Sequence, residues 1–462
     1  MNKTAKRWLY LPVEIRVREF DARLLLACCA VERGYNVVIG MKNGITQHYP
    51  VLPRGIIFDR SLSTFREGEF QRMVDWGYHL CSNDEETFAF YITPESVLRQ
   101  RVSHKSLELT DWYFAWGQKQ ADMINETYPG HADKIKVLGT YRGDLNLPEF
   151  QRSMWGEEVK KLQERFGHFI LLPTNFSEVE NNIGGRKFTI DQMFEQGAIY
   201  TQDEATFFED FLDHKERNLT AYKDVIPKIQ KAFPDHKIVI RPHPGEAHEH
   251  WEAFAQKHPG LVVLHEGPVT PWLIAADVVF HHGCSTGLET FLLGKPSIPY
   301  HPHLNLVHDV HLSTKIGPIV ETEEDFLELM KIAIEGGELP RDDISWLNDY
   351  IVLPDGERLI SDHIVDAFDE LDVAPERMSA FSYLPARLKI YARRQLNTFK
   401  RRVKRMLGGK IEPSRHTKRW GYMTPEDVLG FISIFQDVTG RFDGVKVEKL
   451  PYGQVFCLYK GD

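Results

Sequence analysis

Short apolar runs alternate with helical patterns along the first 150 residues. The segment RWLYLPV (7–13) has the length and apolar content of a buried strand, and residues 18–33 show helical spacing. Further predicted strands in this part are 36–40, 55–59, 78–82, 112–116 and 134–139. Strands that alternate with helices in this way predict a parallel sheet covered on both faces.

The same rhythm begins again after a polar stretch at 148–167. Predicted strands of this second half are 169–173, 237–244, 261–265, 277–282 and 296–300. Predicted helices are 215–233, 286–293 and 323–334. The chain is therefore expected to be an α/β protein with two Rossmann-like domains in tandem and a ligand cleft between them.

This pattern predicts four regions. Residues 1–150 form an N-terminal Rossmann-like domain and residues 165–335 a C-terminal one, followed by closing helices at 336–372. From 373 to 462 we expect a C-terminal extension, in which a basic amphipathic helix precedes a small module of one helix and two strands.

Composition and charge narrow the class of protein. The chain has 462 residues, of which 42% are hydrophobic and 26% charged, and its net charge is −10. These values indicate a core-forming globular protein and argue against nucleic acid as a partner. Residues 385–420, however, contain thirteen Lys or Arg residues and one acid. We expect this segment to lie on an anionic membrane surface, with a helix docked on the protein itself as the alternative.

Cysteine usage and the amino terminus bear on the compartment. The five cysteines are scattered and form no C-x-x-C pair, which favours a reducing compartment over a disulfide framework. The first residues do not resemble a signal peptide, and no apolar run is long enough to cross a bilayer. The expectation is a soluble cytoplasmic protein, held at the inner face of the plasma membrane through 385–420.

Two motifs of the second half follow apolar strands and carry the candidate chemistry, RPHP (241–244) and HHGCSTGLE (281–289). The Ser-Thr pair is expected to open a helix whose N–H groups bind phosphate, and the two glycines to admit a ligand close to the backbone. His243 can donate to a phosphate or leaving group, and Glu289 can hold ribose hydroxyls. The predicted nucleotide-binding residues are Arg241, His243, Pro244, His282, Gly283, Ser285, Thr286, Gly287 and Glu289. A helix cap and a hydrogen-bonded strand-end histidine are the alternative without a ligand.

These motifs resemble known families. His243-Pro244, followed some forty residues later by Ser285-Thr286, resembles the CMP-binding half of bacterial sialyltransferases, polysialyltransferases and capsule Kdo transferases. The run HHGCSTGLETFLLGKPSIPY (281–300) resembles the surface carbohydrate biosynthesis proteins. It is similar, more loosely, to CDP-glycerol glycerophosphotransferases and UDP-N-acetylglucosamine 2-epimerases. The resemblance spans roughly residues 8–370 and implies a GT-B fold.

The resemblance also implies a catalytic base in the first domain. The sialyltransferase-like families carry two acids and then Gly after a strand, and this chain has Asp84, Glu85 and Glu86 followed by Thr87. One of these carboxylates, with His243, is the expected catalytic pair, and the missing Gly leaves the base open among the three acids. A solvated acidic loop is the alternative. If the reaction retains configuration, Asp21 or Asp144 would matter more.

Four residues are expected to contact substrate. Glu14 and Arg18 follow the first strand, where their alternative is an amphipathic helix with pairs of opposite charge. Arg142 lies in a Gly-x-x-Arg-x-Asp turn resembling that of the surface-carbohydrate group, and it could neutralise a sugar carboxylate or phosphate. Asn175 follows the first strand of the second half.

Histidines crowd residues 281–311 and raise the question of a metal. His308-x-x-His311 has helical spacing, but Asp309 is the only clear carboxylate in the run and H-E-x-x-H is absent. The GT-B resemblance implies catalysis without a bound metal. We therefore expect neither metal nor cofactor, only a nucleotide-sugar co-substrate.

The resulting hypothesis is a glycosyltransferase of capsule or lipopolysaccharide biosynthesis. Its donor is a nucleotide sugar, favoured as CMP-linked Kdo or nonulosonate, and its acceptor a glycan or lipid-linked glycan. The alternatives are an NDP-sugar 2-epimerase, a CDP-polyol phosphotransferase and a non-catalytic scaffold of a polysaccharide locus.

Overall fold

The computed structural model describes residues 7–85, 98, 101–181, 183–195, 199, 201–309, 311–340, 343–373, 388, 392 and 420–461. These residues form two compact units. The first unit comprises the described residues of 1–85, 101–153 and 349–462, and the second those of 86–100 and 154–348.

The strands of the described residues are β1 (Arg7–Val13), β2 (Tyr35–Met41), β3 (Ile56–Asp59), β4 (His79–Ser82), β5 (Trp112–Ala115), β6 (Ile135–Val137), β7 (Phe169–Pro173), β8 (Lys237–Arg241), β9 (Leu261–Val263), β10 (Val278–His281), β11 (Ser297–Pro299), β12 (Val445–Lys449) and β13 (Val455–Lys460). All the strands predicted in the two halves are present, with ends that differ by a few residues.

The α-helices of the described residues are α1 (Arg16–Glu32), α2 (Lys42–Thr46), α3 (Glu67–Asp75), α4 (His104–Glu108), α5 (Gln118–Thr127), α6 (Pro148–Phe166), α7 (Gly185–Glu195), α8 (Gln202–Ala232), α9 (His248–Gln256), α10 (Thr270–Ala275), α11 (Ser285–Leu292), α12 (His311–Lys315), α13 (Glu323–Ile334), α14 (Leu347–Tyr350), α15 (Ile360–Asp369) and α16 (Pro425–Thr439).

The first unit is built on a sheet of order β12-β13-β2-β1-β3-β4-β5-β6. Strands β1 to β6 are parallel to one another. Every residue of β3, and every residue of β2 except the last, is buried, as expected for strands covered on both faces. Helix α1 follows β1 and buries an uninterrupted run from Ala22 to Val31. This unit is the first predicted Rossmann-like domain.

The C-terminal strands are part of this first sheet, which corrects their assignment to a separate terminal module. β13 pairs antiparallel with β2, and β12 pairs antiparallel with β13. The apolar residues of β13 from Val455 to Leu458 are buried, because they cover the edge of β2 that would otherwise expose unpaired N–H and C=O groups. Arg441, just after α16, donates to Glu32 of α1 and to both carboxylate oxygens of Asp362 in α15.

The second unit contains a parallel sheet of order β11-β10-β7-β8-β9. Successive residues of its strands point to opposite faces and enter two separate apolar clusters. Ile170 and Leu172 pack on one face with residues of α8 and α13, whereas Phe169 and Leu171 pack on the other with residues of α6 and α10. This unit is the second predicted Rossmann-like domain, so the α/β class with two such domains is confirmed.

Two helices differ from the predictions. The polar stretch at 148–167 is the 19-residue helix α6, because it has Pro at its first position and is rich in Glu, Lys and Arg, which favour helix. The helix predicted at 215–233 is α8, which begins earlier, at Gln202, after a capping box between Thr201 and Glu204.

The described residues contain no helix with both the length and the apolar character needed to cross a bilayer. The basic segment predicted to contact a membrane, 385–420, lies outside the described residues apart from Leu388, Ala392 and Trp420. The membrane contact therefore stays a prediction.

The start of α15 is held by a buried carboxylate. Asp144 is fully buried and accepts hydrogen bonds from the backbone N–H groups of Ile360 and Ser361, and from the Ser361 hydroxyl at 2.6 Å. Burial raises the pKa of Asp144 to about 6, so the carboxylate is ionised at neutral pH. The turn at 140–146 is thereby fixed to the first helical turn of α15.

We predict that Ser361→Ala lowers the free energy of unfolding by about 1.5–3 kcal/mol, because it removes a buried hydrogen bond to a charged group. The matched control is Ser345→Ala, since Ser345 is exposed and donates to Asp343 at 2.9 Å. Its expected effect is within about 0.5 kcal/mol. Urea unfolding of the full chain measures both, and equal effects would contradict the assignment.

Candidate functional site

The position of β7 defines the candidate site of the second unit. β7 lies between β8 and β10, and all three strands are parallel. The chain crosses from β9 on one side of the sheet to β10 on the other, so the strand order reverses beside β7. Ligands of open α/β sheets bind outside the carboxyl ends of the strands at such a reversal. Three predicted residues lie at this edge: Asn175 follows β7, His243 follows β8 and Ser285 follows β10.

The start of α11 has the properties predicted for a phosphate site. Ser285 is the first residue of the helix and is exposed, while Thr286 and Glu289 are half-buried. The residue that precedes the helix is Cys284, whose side chain makes no capping hydrogen bond and whose backbone oxygen accepts the N–H of Gly287 at 3.0 Å. The prediction that Ser285 and Thr286 open a helix is confirmed, and its positive end faces the carboxyl edge of the sheet.

His243 is exposed and oriented by its own turn. Its Nδ1 accepts the backbone N–H of Gly245 at 3.1 Å, so in the neutral ring the proton resides on Nε2. The imidazole is therefore set to donate through Nε2, as a phosphate or leaving-group oxygen requires. Pro244, beside it, is exposed as well.

A buried carboxylate ties the turn of His243 to β7. Glu246 accepts the Thr174 hydroxyl at 2.7 Å, the Phe176 N–H at 2.9 Å and the indole N–H of Trp251 at 2.7 Å. The Thr174 hydroxyl in turn accepts the backbone N–H of His243 at 3.2 Å. Glu246 is thus a positioning residue for the loops after β7 and β8, and the sequence analysis missed it.

The structure corrects the role predicted for Arg241. Its guanidinium is buried and donates to the backbone oxygens of Glu266 and Gly267, the first at 2.7 Å. Burial lowers the pKa of Arg241 to about 10. The side chain therefore holds the loop after β9 in place and does not face a phosphate.

The side chain of His282 also points away from the predicted ligand. It is buried, and its ring stacks on Phe176 at a centroid distance of 5.6 Å. Burial lowers the pKa of His282 well below its usual value, and the charge of nearby His301 adds to this effect. The imidazole is consequently neutral and packed in the interior. Only the backbone of His282 could contact the predicted ligand.

The two glycines of the motif are required for different reasons. Gly283 has φ of 56°, a left-handed conformation that favours glycine at the turn into α11. At Gly287 a Cβ atom would lie 2.2 Å from Cε1 of His281, a buried ring beneath the helix. The group that lies close to Gly287 is thus the ring of His281. This finding corrects the expectation that a ligand occupies that space.

Asn175 is nearly buried at the same edge. Its backbone oxygen accepts the Nζ of the buried Lys215 at 2.8 Å, whereas its Nδ2 has no hydrogen-bond partner among the described residues. An unpaired amide at this position is consistent with its predicted contact to substrate.

The first unit has an equivalent reversal of strand order at β1, which lies between β2 and β3. Glu14 and Arg18 follow β1, and Arg60 follows β3. Arg60 is ion-paired with Glu14 at 3.2 Å, and Arg18 donates to the backbone oxygen of Glu85 at 3.4 Å. The charge of Arg142 also acts on the Glu85 carboxylate. The structure therefore brings the predicted residues of this unit together.

The predicted bases are buried, which excludes the solvated acidic loop for two of the three. Glu85 accepts Arg23 at 2.8 Å and also the hydroxyl of Tyr141. Burial raises the pKa of Glu85, but the charges of Arg23 and Arg142 outweigh this and lower it overall. Asp84 is buried and ion-paired with Arg101 at 3.3 Å. A lowered pKa and burial make Glu85 a poor base. Glu86 lies outside the described residues.

The two carboxylates considered for a retaining reaction differ. Burial raises the pKa of Asp21 to about 6, against the opposing charge of Arg16. Asp144 is engaged at the start of α15, as described above, and this structural use corrects its candidacy.

The clustering of four histidines around Asp309 escaped the sequence analysis. His214, His282, His301 and His308 surround Asp309 in the second unit, and these five residues are termed the histidine cluster. The signal for His214 was present, since it lies with Lys215 and Asn218 among the buried residues of α8. Three adjacent polar residues at core positions of an amphipathic helix indicate a buried polar site.

Comparison with known proteins shows the fold alone. No protein-family model and no curated protein matches this sequence. A Listeria monocytogenes protein assigned as a UDP-N-acetylglucosamine 2-epimerase is similar in structure, with a TM-score of 0.50 and 11% identity over 81% of this chain and 99% of that one. This likeness agrees with the fold expected from the sequence resemblance.

Two other solved structures are similar at lower scores. The UDP-GlcNAc 2-epimerase of Methanocaldococcus jannaschii, in complex with UDP-GlcNAc and UDP, has a TM-score of 0.47 and 12% identity over 79% of this chain and 100% of that one. The wall teichoic acid polymerase TagF has a TM-score of 0.46 and 10% identity over 79% of this chain and 88% of that one.

We predict that Gly287→Ala destabilises the second unit by about 1–3 kcal/mol, because the added methyl group forces the buried ring of His281 to move. Gly156 provides the control, since a Cβ there meets nothing within 4 Å in α6. Gly156→Ala should be neutral or stabilising by up to about 1 kcal/mol. Thermal unfolding of both variants tests this, and a neutral Gly287→Ala would refute the packing argument.

A second prediction concerns the buried ion pair. Glu85→Gln should lower the free energy of unfolding by about 3–5 kcal/mol, because it leaves the Arg23 charge buried without its partner. Glu266→Gln is the control, since the Arg165–Glu266 pair is more than half exposed and its loss should change stability far less. Unchanged stability with abolished turnover would instead restore Glu85 as the base.

Proposed function

We propose that this protein is a glycosyltransferase that uses a nucleotide sugar in the synthesis of a surface polysaccharide. The observation that carries the proposal is the exposed start of α11 at the reversal of strand order beside β7, together with His243. The helix start offers N–H donors and a positive dipole to the phosphate of the donor. His243, protonated on Nε2, stabilises the negative charge that develops on the leaving phosphate.

The proposed donor is CMP-linked Kdo or a nonulosonate. Its support is the sequence resemblance carried by His243-Pro244 and Ser285-Thr286. In the second unit Thr286 and Glu289 are assigned to the nucleotide, and Asn175 to the sugar. No metal or cofactor takes part in the proposed transfer, because the helix start supplies partial positive charge and His243 supplies a hydrogen-bond donor.

The proposed acceptor is a glycan or lipid-linked glycan bound at the first unit. Arg18 and Arg142 lie together there and complement an anionic sugar. Because Glu85 is engaged by Arg23 and Asp84 by Arg101, Glu86 is the base that we propose among the three acids. The anionic membrane surface assigned to 385–420 rests on sequence charge and accompanies this proposal.

The experiment that tests this function compares nucleotides by thermal unfolding. CMP is expected to raise the unfolding midpoint, by an amount equivalent to about 2.7 kcal/mol at a hundred times its Kd. Selective stabilisation by UDP would replace the proposed donor, and no response to any nucleotide would overturn the proposal.

Variants of the helix start separate binding from folding. Ser285→Asp places a carboxylate at the positive end of α11, so it should preserve or raise stability while repelling the phosphate. Ser285→Ala keeps the backbone donors and should retain most of the nucleotide response. His243→Ala should lower turnover by about a hundredfold, and His168→Ala, an exposed histidine just before β7, should not.

Product analysis distinguishes the epimerase alternative. A transferase should release the nucleotide rapidly only when an acceptor glycan is present. Release of nucleotide with an isomerised sugar in the absence of acceptor would establish epimerisation and contradict transfer.

A further inference from the structure

The histidine cluster presents unpaired nitrogen atoms in the interior of the second unit. His282 and His301 are 3% and 0% exposed, and neither ring nitrogen of either residue has a hydrogen-bond partner among the described residues. His308, nearly buried, has an unpaired Nδ1. Each buried polar group left without a partner destabilises the folded protein. Five unpaired nitrogen atoms in one cluster indicate a bound ligand, because the surrounding side chains do not supply their partners.

The donor atoms converge on one carboxylate. Oδ1 of Asp309 lies 2.8 Å from Nε2 of His214 and 3.4 Å from Nε2 of His282, and Oδ2 lies 3.5 Å from Nδ1 of His301. The atoms of His214, His282 and Asp309 all lie within 4.8 Å of one another. Ligand atoms of tetrahedral zinc are separated by roughly 3.3 Å, given Zn–N and Zn–O distances of about 2.0–2.2 Å. Two of the three separations match this value, and the third requires a small opening.

We propose that His214, His282 and Asp309 bind one divalent transition-metal ion of the zinc class. His301, whose Nδ1 lies 3.5 Å from Oδ2 of Asp309, is the proposed fourth ligand and has to move toward the other three to bind the ion. Three imidazoles and one carboxylate form a four-coordinate set that suits zinc and cobalt and does not suit magnesium or calcium. This assignment departs from the expectation that the protein holds no metal. That expectation rested on the GT-B resemblance and on the residues around His308 and His311, whereas the proposed ligands come from α8, the end of β10 and the loop after β11.

The electrostatics of the cluster agree with this chemistry. Burial keeps His282 neutral, and neutral imidazole is the form that coordinates a metal. Burial raises the pKa of Asp309, but the hydrogen bond from His214 and the surrounding imidazoles outweigh it and hold the pKa well below its usual range, so the carboxylate is ionised. Lys215 lies close enough to lower the pKa of His282, and its positive charge opposes part of that of Asp309. The site therefore depends on imidazole donors more than on net charge.

An acidic groove provides a route from solvent. A groove of about 660 Å³ reaches the cluster at His308, whose ring centroid lies 5.6 Å from that of His214. Its lining comprises Asp210, Asp213, Glu216, Arg217, Thr220, Asn305 and His308. Three carboxylates against one arginine give the lining a net negative charge, although Arg186 pairs with Asp213 and Glu216 from outside. A cation is drawn toward His308 on this path.

Bound metal would fix the end of β10. His282 immediately precedes Gly283, and the turn at Gly283 leads into α11. A metal held by His282 would therefore anchor this turn to α8. This consequence does not depend on the nucleotide assignment, because the metal ligands lie behind the turn and not at the exposed start of the helix.

The first test uses the full-length wild-type protein. After treatment with a chelator and dialysis, titration with Zn²⁺ in a calorimeter should show one tight equivalent. Co²⁺ should give the visible absorption of a four-coordinate ion. A second group on the surface, His168, His236 and Asp277, could also bind metal, and His168→Ala removes it. If the His168→Ala variant binds no equivalent of zinc, the proposal is overturned and the cluster is a water-filled polar core.

The second test uses ligand variants. His301→Gln and Asp309→Asn should each weaken zinc binding at least about tenfold while the far-ultraviolet circular dichroism remains that of the wild type. Wild-type affinity in both variants would also overturn the proposal. If neither variant folds, the cobalt spectrum of the wild type decides, because six-coordinate or absent cobalt excludes the proposed set. Metal binding without any nucleotide response would leave this site standing and overturn only the proposed function.

Discussion

The central place of β7 in the second sheet decides which loops of that unit can share a ligand. Neighbouring strands lie about 4.8 Å apart, so the loops after β8 and β10 emerge on the order of 10 Å apart on either side of Asn175. Residues far apart in sequence, such as His243 and Ser285, meet at one edge only because of this order. A further strand between β8 and β10 would separate the two loops by about another 4.8 Å.

Two buried carboxylates stabilise this edge. Glu246 joins the loops that follow β7 and β8 through three hydrogen bonds, and Asp309 joins the end of β10 to α8 through His282 and His214. Rigid support of this kind keeps an exposed turn in a binding geometry before the ligand arrives. It also explains why so many polar groups lie in the interior of a unit whose sheet is otherwise apolar on both faces.

Much of the fold followed from the alternation of apolar runs, because buried parallel strands such as FILLP and KIVIR carry a strong local signal. The pairing of β13 with β2 could not be read in this way, since antiparallel addition at an edge depends on contacts over more than 400 residues of chain. The sequence also predicted the edge at which Ser285 and His243 lie.

Side-chain direction was the part that sequence could not supply. Arg241 and His282 stand at the ends of β8 and β10, yet one side chain turns to backbone carbonyls and the other to the interior. A strand-end residue one position earlier or later faces the opposite side, so a motif alone does not determine which members face a ligand. The contact between His214 and Asp309 was not predicted, because the two residues lie 95 positions apart in sequence and come together only when α8 packs on the sheet.

The discontinuous first unit has a consequence for the order of folding. The second unit is a nearly continuous stretch, whereas the sheet of the first is completed by strands that are synthesised after the second unit. During synthesis the N–H and C=O groups at the outer edge of β2 stay unpaired until β13 has emerged from the ribosome. A nascent chain in that state exposes an edge with which strands of other chains can pair. The growing protein therefore needs protection at this edge until the β12–β13 hairpin covers it.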